Sequence, residues 1–137
     1  MTPFKNIIKK ITLALALVLT STDIIAEWTP LGESDKKGGY TVYADLASIR
    51  KASNRVKMWI LLDYKNEQKA AGVNFLSEKI RREFDCEEEQ MRTLAFSLFS
   101  WNMEKGDLIR SYSQPQRWEK IQPGSIDEIE WKQACKT

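Results

Sequence analysis

Histidine is missing from the chain, and cysteine, proline and glycine are sparse: 0 His, 2 Cys, 4 Pro and 6 Gly in 137 residues. Without an imidazole there is no Ser-His or Cys-His nucleophilic pair and no His-Glu-x-x-His zinc motif. The two cysteines, Cys86 and Cys135, lie far apart, so the close Cys-x-x-Cys spacing of a redox pair is lacking too. No glycine run has the pattern that cradles phosphate, and there is no internal repeat or low-complexity tract. Long hydrophobic runs are also lacking. The best is Ile11–Leu19, broken only by Thr12. A membrane-spanning helix needs roughly 20 apolar residues, about twice that run.

What is present at the N-terminus is the layout of a secretory leader. Lys5, Lys9 and Lys10 precede the apolar run, and Thr20, Ser21, Thr22 and Asp23 follow it. The sequence predicts a signal peptide over 1–26, cleaved after Ala26, with Thr22 as the alternative site. No cysteine stands near the cleavage site, so no lipoprotein anchor is expected. Residues 27–137 then form one exported domain, in the periplasm or at the cell surface, with no membrane span once the leader is gone. The leader's three lysines and Asp23 account for the whole formal charge of +2. The mature chain is neutral, and its charge gives no reason to expect nucleic acid as a partner.

A domain of this size buries a modest core, and a crosslink helps it. In an oxidising compartment an even pair of cysteines reads as one disulfide. Closing a loop of about 50 residues between Cys86 and Cys135 stabilises by ~4 kcal/mol in the chain-entropy treatment. Five Trp, five Phe and four Tyr supply the large apolar groups.

Along the chain, 28–31 reads as an extended start, 32–39 as a loop and 40–44 as a strand. Residues 45–53 read as a connection whose Ile49 turns inward. Residues 55–64 give the strongest strand signal: Val56, Met58, Ile60, Leu62 and Tyr64 recur with period two. Trp59 and Leu61 make the second half apolar on the other face as well. A strand of that kind is expected to be central and covered twice, by a helix on one side and by a partner subunit, as in a homodimer, on the other. Residues 65–72 read as a polar loop. Segments 75–86 and 91–101 fit strand and helix alike; Met91, Leu94, Ala95, Leu98 and Phe99 even form a helical stripe. Lys105-Gly106-Asp107 marks a turn, 108–112 a short strand and Pro123-Gly124 a break. Ser125 with Glu128 three residues on is a capping box, so a terminal helix is expected from Ser125 to about Lys136. Asp127 and Glu128 suit its positive end. It is too short to stand alone and has to pack on a sheet.

Few residues advertise chemistry. Glu87-Glu88-Glu89 lacks the alternating ligand spacing of a calcium loop, and with both thiols in a disulfide zinc has no soft ligand; no metal or cofactor is expected. Acids are plentiful, but none singles itself out as half of a carboxylate hydrolase pair. Lys79, Arg81 and Arg82, with Lys65 and Lys69 nearby, are the candidate ligand-binding patch, suited to an acidic glycan or protein. The plainer alternative is a solvated strand face. On a strand Lys79 and Arg81 share one side.

The order of landmarks carries a resemblance. Trp28 is followed by Tyr43-Ala44-Asp45, Ser48-Ile49, Trp59, Asp63-Tyr64 and Phe75-Leu76-Ser77. Glu83-Phe84-Asp85-Cys86, Gly106, Trp118, Pro123-Gly124-Ser125 and Cys135 complete the series. Over nearly all of 27–135 this resembles the surface-adhesin protein E-like domain of Gram-negative bacteria. The resemblance implies an α+β fold: a single antiparallel sheet of about five to six strands with a C-terminal helix packed on it, a disulfide, and dimerisation. It implies a non-enzymatic adhesin for host extracellular-matrix or serum proteins. It implies no catalytic residue, and it carries over no binding residue. The competing reading is a periplasmic structural or interaction protein, such as an envelope assembly factor or an inhibitor, that meets another envelope protein and no host ligand.

Overall fold

In the computed structural model, residues 26–136 are described; the leader read over 1–26 lies outside them but for Ala26. The chain runs β1 (Thr29–Ser34), a 3-10 turn at Lys36–Gly38, β2 (Tyr40–Ala52), β3 (Arg55–Ala70), β4 (Val73–Asp85), β5 (Gln90–Phe99), β6 (Leu108–Tyr112), β7 (Glu119–Lys120) and α1 (Ile126–Ala134). The first six strands pair in chain order as an antiparallel meander, and β7 adds to the free edge of β5 at Gln90 and Met91. The α+β fold is met with a slightly higher strand count than the resemblance implied.

The period-two pattern of β3 sets the core. Val56, Met58, Ile60, Leu62 and Tyr64 are buried on one face. Val42 and Ala44 from β2, Ile80 and Phe84 from β4 and Leu98 from β5 join them. Tyr64 packs between Tyr40 and Phe75, with ring centroids 5.4 and 5.7 Å away. Burying an aromatic or large aliphatic side chain is worth about 1.5–3 kcal/mol, so this face supplies most of the driving force for folding.

Helix α1 closes that face. The Ser125 hydroxyl accepts from the Glu128 amide at 3.2 Å, so the N-cap forms as its sequence predicts. The reciprocal half does not: the Glu128 carboxylate pairs with Lys132 at 3.3 Å, one turn on. Ala134 and Glu130 face inward, and the helix lies against β1, β2 and β3. Gly32 permits the approach of β1, since a Cβ there would sit 3.2 Å from Ile126 Cδ1 and 3.3 Å from Ile129 Cδ1. The Cys86–Cys135 disulfide joins the end of β4 to the C-cap of α1, with Cα atoms 5.6 Å apart. Beside it the Trp131 indole N–H donates to the Asp85 carbonyl at 3.0 Å.

Both ambiguous segments are strands. The helical stripe in β5 has a specific cause. Thr93 pairs with Arg82 and Ala95 with Arg81, leaving Leu94 as an extra residue. This bulge shifts the phase, so the core face passes from Met91 to Phe96 and Leu98 and a strand imitates helical spacing. In β2 the stretch read as a connection is a second irregularity, between Asp45 and Arg50. The Ser48 hydroxyl fills it, donating to the Asp45 carbonyl at 2.6 Å and accepting from the Trp59 amide at 3.0 Å. The stretch read as a polar loop at 65–72 is instead the outer end of the β3–β4 hairpin, paired again from Gln68 and Phe75.

Candidate functional site

The side of the sheet away from α1 carries Trp59, Leu61 and Asp63 from β3, opposite Arg81, Lys79 and Ser77 of β4. The loop between β5 and β6 folds over one end of it. The Asn102 amide donates to Asp63 Oδ1 at 3.0 Å and to the Tyr64 carbonyl at 2.8 Å, and the Met103 amide donates to Asp63 Oδ1 at 2.8 Å. The Ser77 hydroxyl donates to the Trp101 carbonyl at 2.6 Å and accepts from the Glu104 amide at 3.0 Å. These bonds hold Met103 and Glu104 at φ 56° and 62°, a left-handed backbone that costs of order 1–3 kcal/mol when nothing compensates. Leu61 is fully buried within the one chain on this side, so its burial needs no partner subunit.

Beyond the loop the face stays half-open, and two tryptophans organise it. The Lys79 ammonium lies 4.8 Å from the Trp59 ring centroid and the Arg81 guanidinium 5.9 Å from it. Lys79 also pairs with Glu104 at 2.9 Å. Towards the other end, Trp118 lies against Arg92 at 4.6 Å and Arg55 at 5.1 Å. Arg92 in turn pairs with the buried Glu83 at 2.7 Å. A cation over an indole is worth about 0.5–1 kcal/mol when exposed and more when desolvated. The rings thus hold cationic heads in place; Lys79 and Arg92 spend theirs on Glu104 and Glu83, while among the described residues Arg55 and Arg81 make no ion pair.

The three residues expected to form one patch do not meet. Lys79 and Arg81 share the open side over Trp59, as alternation predicts. Arg82 faces α1 instead: its Nε donates to Glu130 Oε1 at 3.2 Å and its Nη1 to Thr93 Oγ1 at 2.8 Å. The Glu130 side chain is 1% exposed, and its Oε2 has no hydrogen-bond partner among the described residues. Burial pushes the Glu130 carboxyl above the usual carboxylate range; Arg82 pulls it back only in part, and Asp127 adds to the rise. Burial also raises Glu78, although the Tyr64 hydroxyl donates to it at 3.2 Å. Sequence reasoning missed Trp118, Arg55 and Arg92. Their only signal is Trp118 in an otherwise polar loop, and its partners lie on β3 and β5.

Sheet, helix and clamp together define a small α+β domain: an antiparallel meander backed on one side by a single disulfide-tied helix, with fixed cations on the other. The chain belongs to the surface-adhesin protein E family, whose model matches residues 28–136. It is an adhesin-like protein. No curated protein matches the chain. Among solved structures, one crystal form of Haemophilus influenzae protein E is similar with a TM-score of 0.57 at 10% identity, over 69% of this chain and 80% of that one. Protein E from non-typeable Haemophilus influenzae is similar with a TM-score of 0.53 at 12% identity, over 80% of this chain and 76% of that one. At such identities the likeness is one of fold.

Proposed function

We propose that this protein is an exported, non-enzymatic binding protein that takes host extracellular-matrix or serum proteins on the open side of its sheet. The observation that carries the reading is the pair Lys79 and Arg81 held over the Trp59 ring on that side, in a chain of an adhesin family. A rigid aromatic with flanking cations gives contact area and charge complementarity at small entropic cost, as recognition surfaces require. Arg82 takes no direct part, since it is committed to Glu130 beneath the helix.

The test has two arms. On intact cells, added protease should digest the protein, and the Lys79→Ala/Arg81→Ala variant should capture at least about tenfold less matrix or serum protein than the parent. Digestion only after the outer membrane is permeabilised would replace this reading with that of a periplasmic interaction protein without a host ligand. Undiminished capture by the variant would move the binding surface elsewhere.

A further inference from the structure

Where β2 turns into β3, Arg50, Lys51, Ala52, Arg55, Lys57 and Glu83 line a cavity of about 310 Å³. Its one carboxylate, Glu83, is already taken by Arg92, whose Nη2 lies at 2.7 Å and whose Nε donates at 2.8 Å. Among the described residues Arg50, Arg55 and Lys57 make no ion pair. Arg50 and Lys57 sit directly opposite each other across the β2–β3 ladder, where like charges repel. Two of the three heads are nonetheless fixed. Arg50 Nη1 donates to the carbonyls of Ala47 and Ile49, and the Arg55 guanidinium lies on Trp118. Two held guanidinium groups with an ammonium beside them, none of the three in an ion pair, are what an oxyanion needs.

The cavity does not stand alone. Arg55, Lys57 and Trp59 are alternate residues of β3, so successive side chains on this side are about 7 Å apart. Arg81, opposite Trp59, continues the cationic line one strand over. A single small anion would use only the cavity, whereas a linear chain with repeated anionic groups can use the whole line. The Trp59 and Trp118 rings along this line already carry cations, which leaves no bare platform there for stacking nucleobases. We propose that the cavity and the line from Arg55 through Lys57 to Arg81 form a binding site for a sulfated polysaccharide, with a sulfate group seated among Arg50, Arg55 and Lys57. This rests on the reading of the open sheet side as the recognition surface.

Heparin oligosaccharide is the probe, titrated calorimetrically into the disulfide-bonded domain. Wild-type protein should bind it, and affinity should fall by about tenfold or more between 50 and 200 mM salt, as multiple charge contacts require. Lys57→Glu and the Arg50→Ala/Lys57→Ala double variant should each bind at least about tenfold more weakly, with unchanged melting temperature as the check on folding. No binding at low salt, equal affinity for chemically desulfated heparin, wild-type affinity in both variants, or equally tight binding of oligothymidylate would each overturn the proposal. Capture of intact matrix proteins, measured in parallel, separates the two readings. Heparin binding without matrix capture keeps this site and removes the host-protein role; matrix capture without heparin binding does the reverse.

Discussion

Replacing Arg82 by Met should destabilise the domain severely, and the reason lies in one oxygen atom. Glu130 is buried to 1% exposure and, among the described residues, Arg82 is its single cationic partner, at 3.2 Å, and Oε2 is unpartnered. Taking away the guanidinium leaves a carboxylate with no counter-charge between sheet and helix. Breaking such a pair from one side costs about 3–5 kcal/mol, against a total stability of roughly 5–15 kcal/mol for a domain. The double variant Arg82→Met/Glu130→Leu removes both charges and should recover to within about 1 kcal/mol of the parent. Urea unfolding followed by circular dichroism measures all three proteins. The pH dependence gives the sign. The Glu130 carboxyl is held above its ordinary value, chiefly by burial. A group raised on folding contributes stability that is present below its unfolded pKa and is lost as pH rises through the folded one. In Arg82→Met the carboxyl loses the cation that pulled it down, so the deficit should be largest near neutral pH and shrink on acidification. A deficit under about 1 kcal/mol at neutral pH, a deficit that does not shrink in acid, or a double variant as weak as the single one would each refute the reasoning.

Two further perturbations test other parts of the structure. The Cys86→Ser/Cys135→Ser variant opens a loop spanning a sequence separation of 49 and should lose about 4 kcal/mol, seen as a melting temperature lower by on the order of 15–20 °C; an unchanged melting curve would refute the clamp. Asp63→Ala removes the acceptor for the Asn102 and Met103 donors at 3.0 and 2.8 Å. It should cost about 1–3 kcal/mol and raise hydrogen exchange at the Met103 and Glu104 amides, while protection in β3 stays as it was.

The parts of this structure legible in the sequence are those in which one local rule acts unopposed. The alternation from Val56 to Tyr64 gives β3, and Ser125 with its acidic first turn gives α1. The illegible parts are those in which a residue serves a partner distant in the chain. Leu94 breaks the phase of β5 because of its register with β4, and nothing in the local pattern announces a bulge. Ser48 looks like a loop serine and is the hydrogen-bonding plug of β2 against the Trp59 amide. Arg82 looks like the third member of a basic cluster, yet alternation turns it away from Lys79 and Arg81 to the helix side. Lys79 and Arg81 just before it share its charge, while its partner, Glu130, lies 48 residues on. The Trp118 station is hidden for the same reason: β7, which brings it back to β5, is only two residues long.

The meander also lends itself to stepwise assembly. Every pairing from β1 to β6 joins consecutive strands across a short connection, so the sheet can zip from hairpin to hairpin with little loop-closure entropy at each step. Helix α1 alone returns from the far end of the chain to lie on the first strands, with Ile126 and Ile129 against Gly32. In a chain delivered N-terminus first, β1 to β6 precede the helix, and Cys86 at the end of β4 comes 49 residues before the thiol it bonds. The crosslink is therefore a record of completion: its formation registers that the final element has reached its place on the sheet.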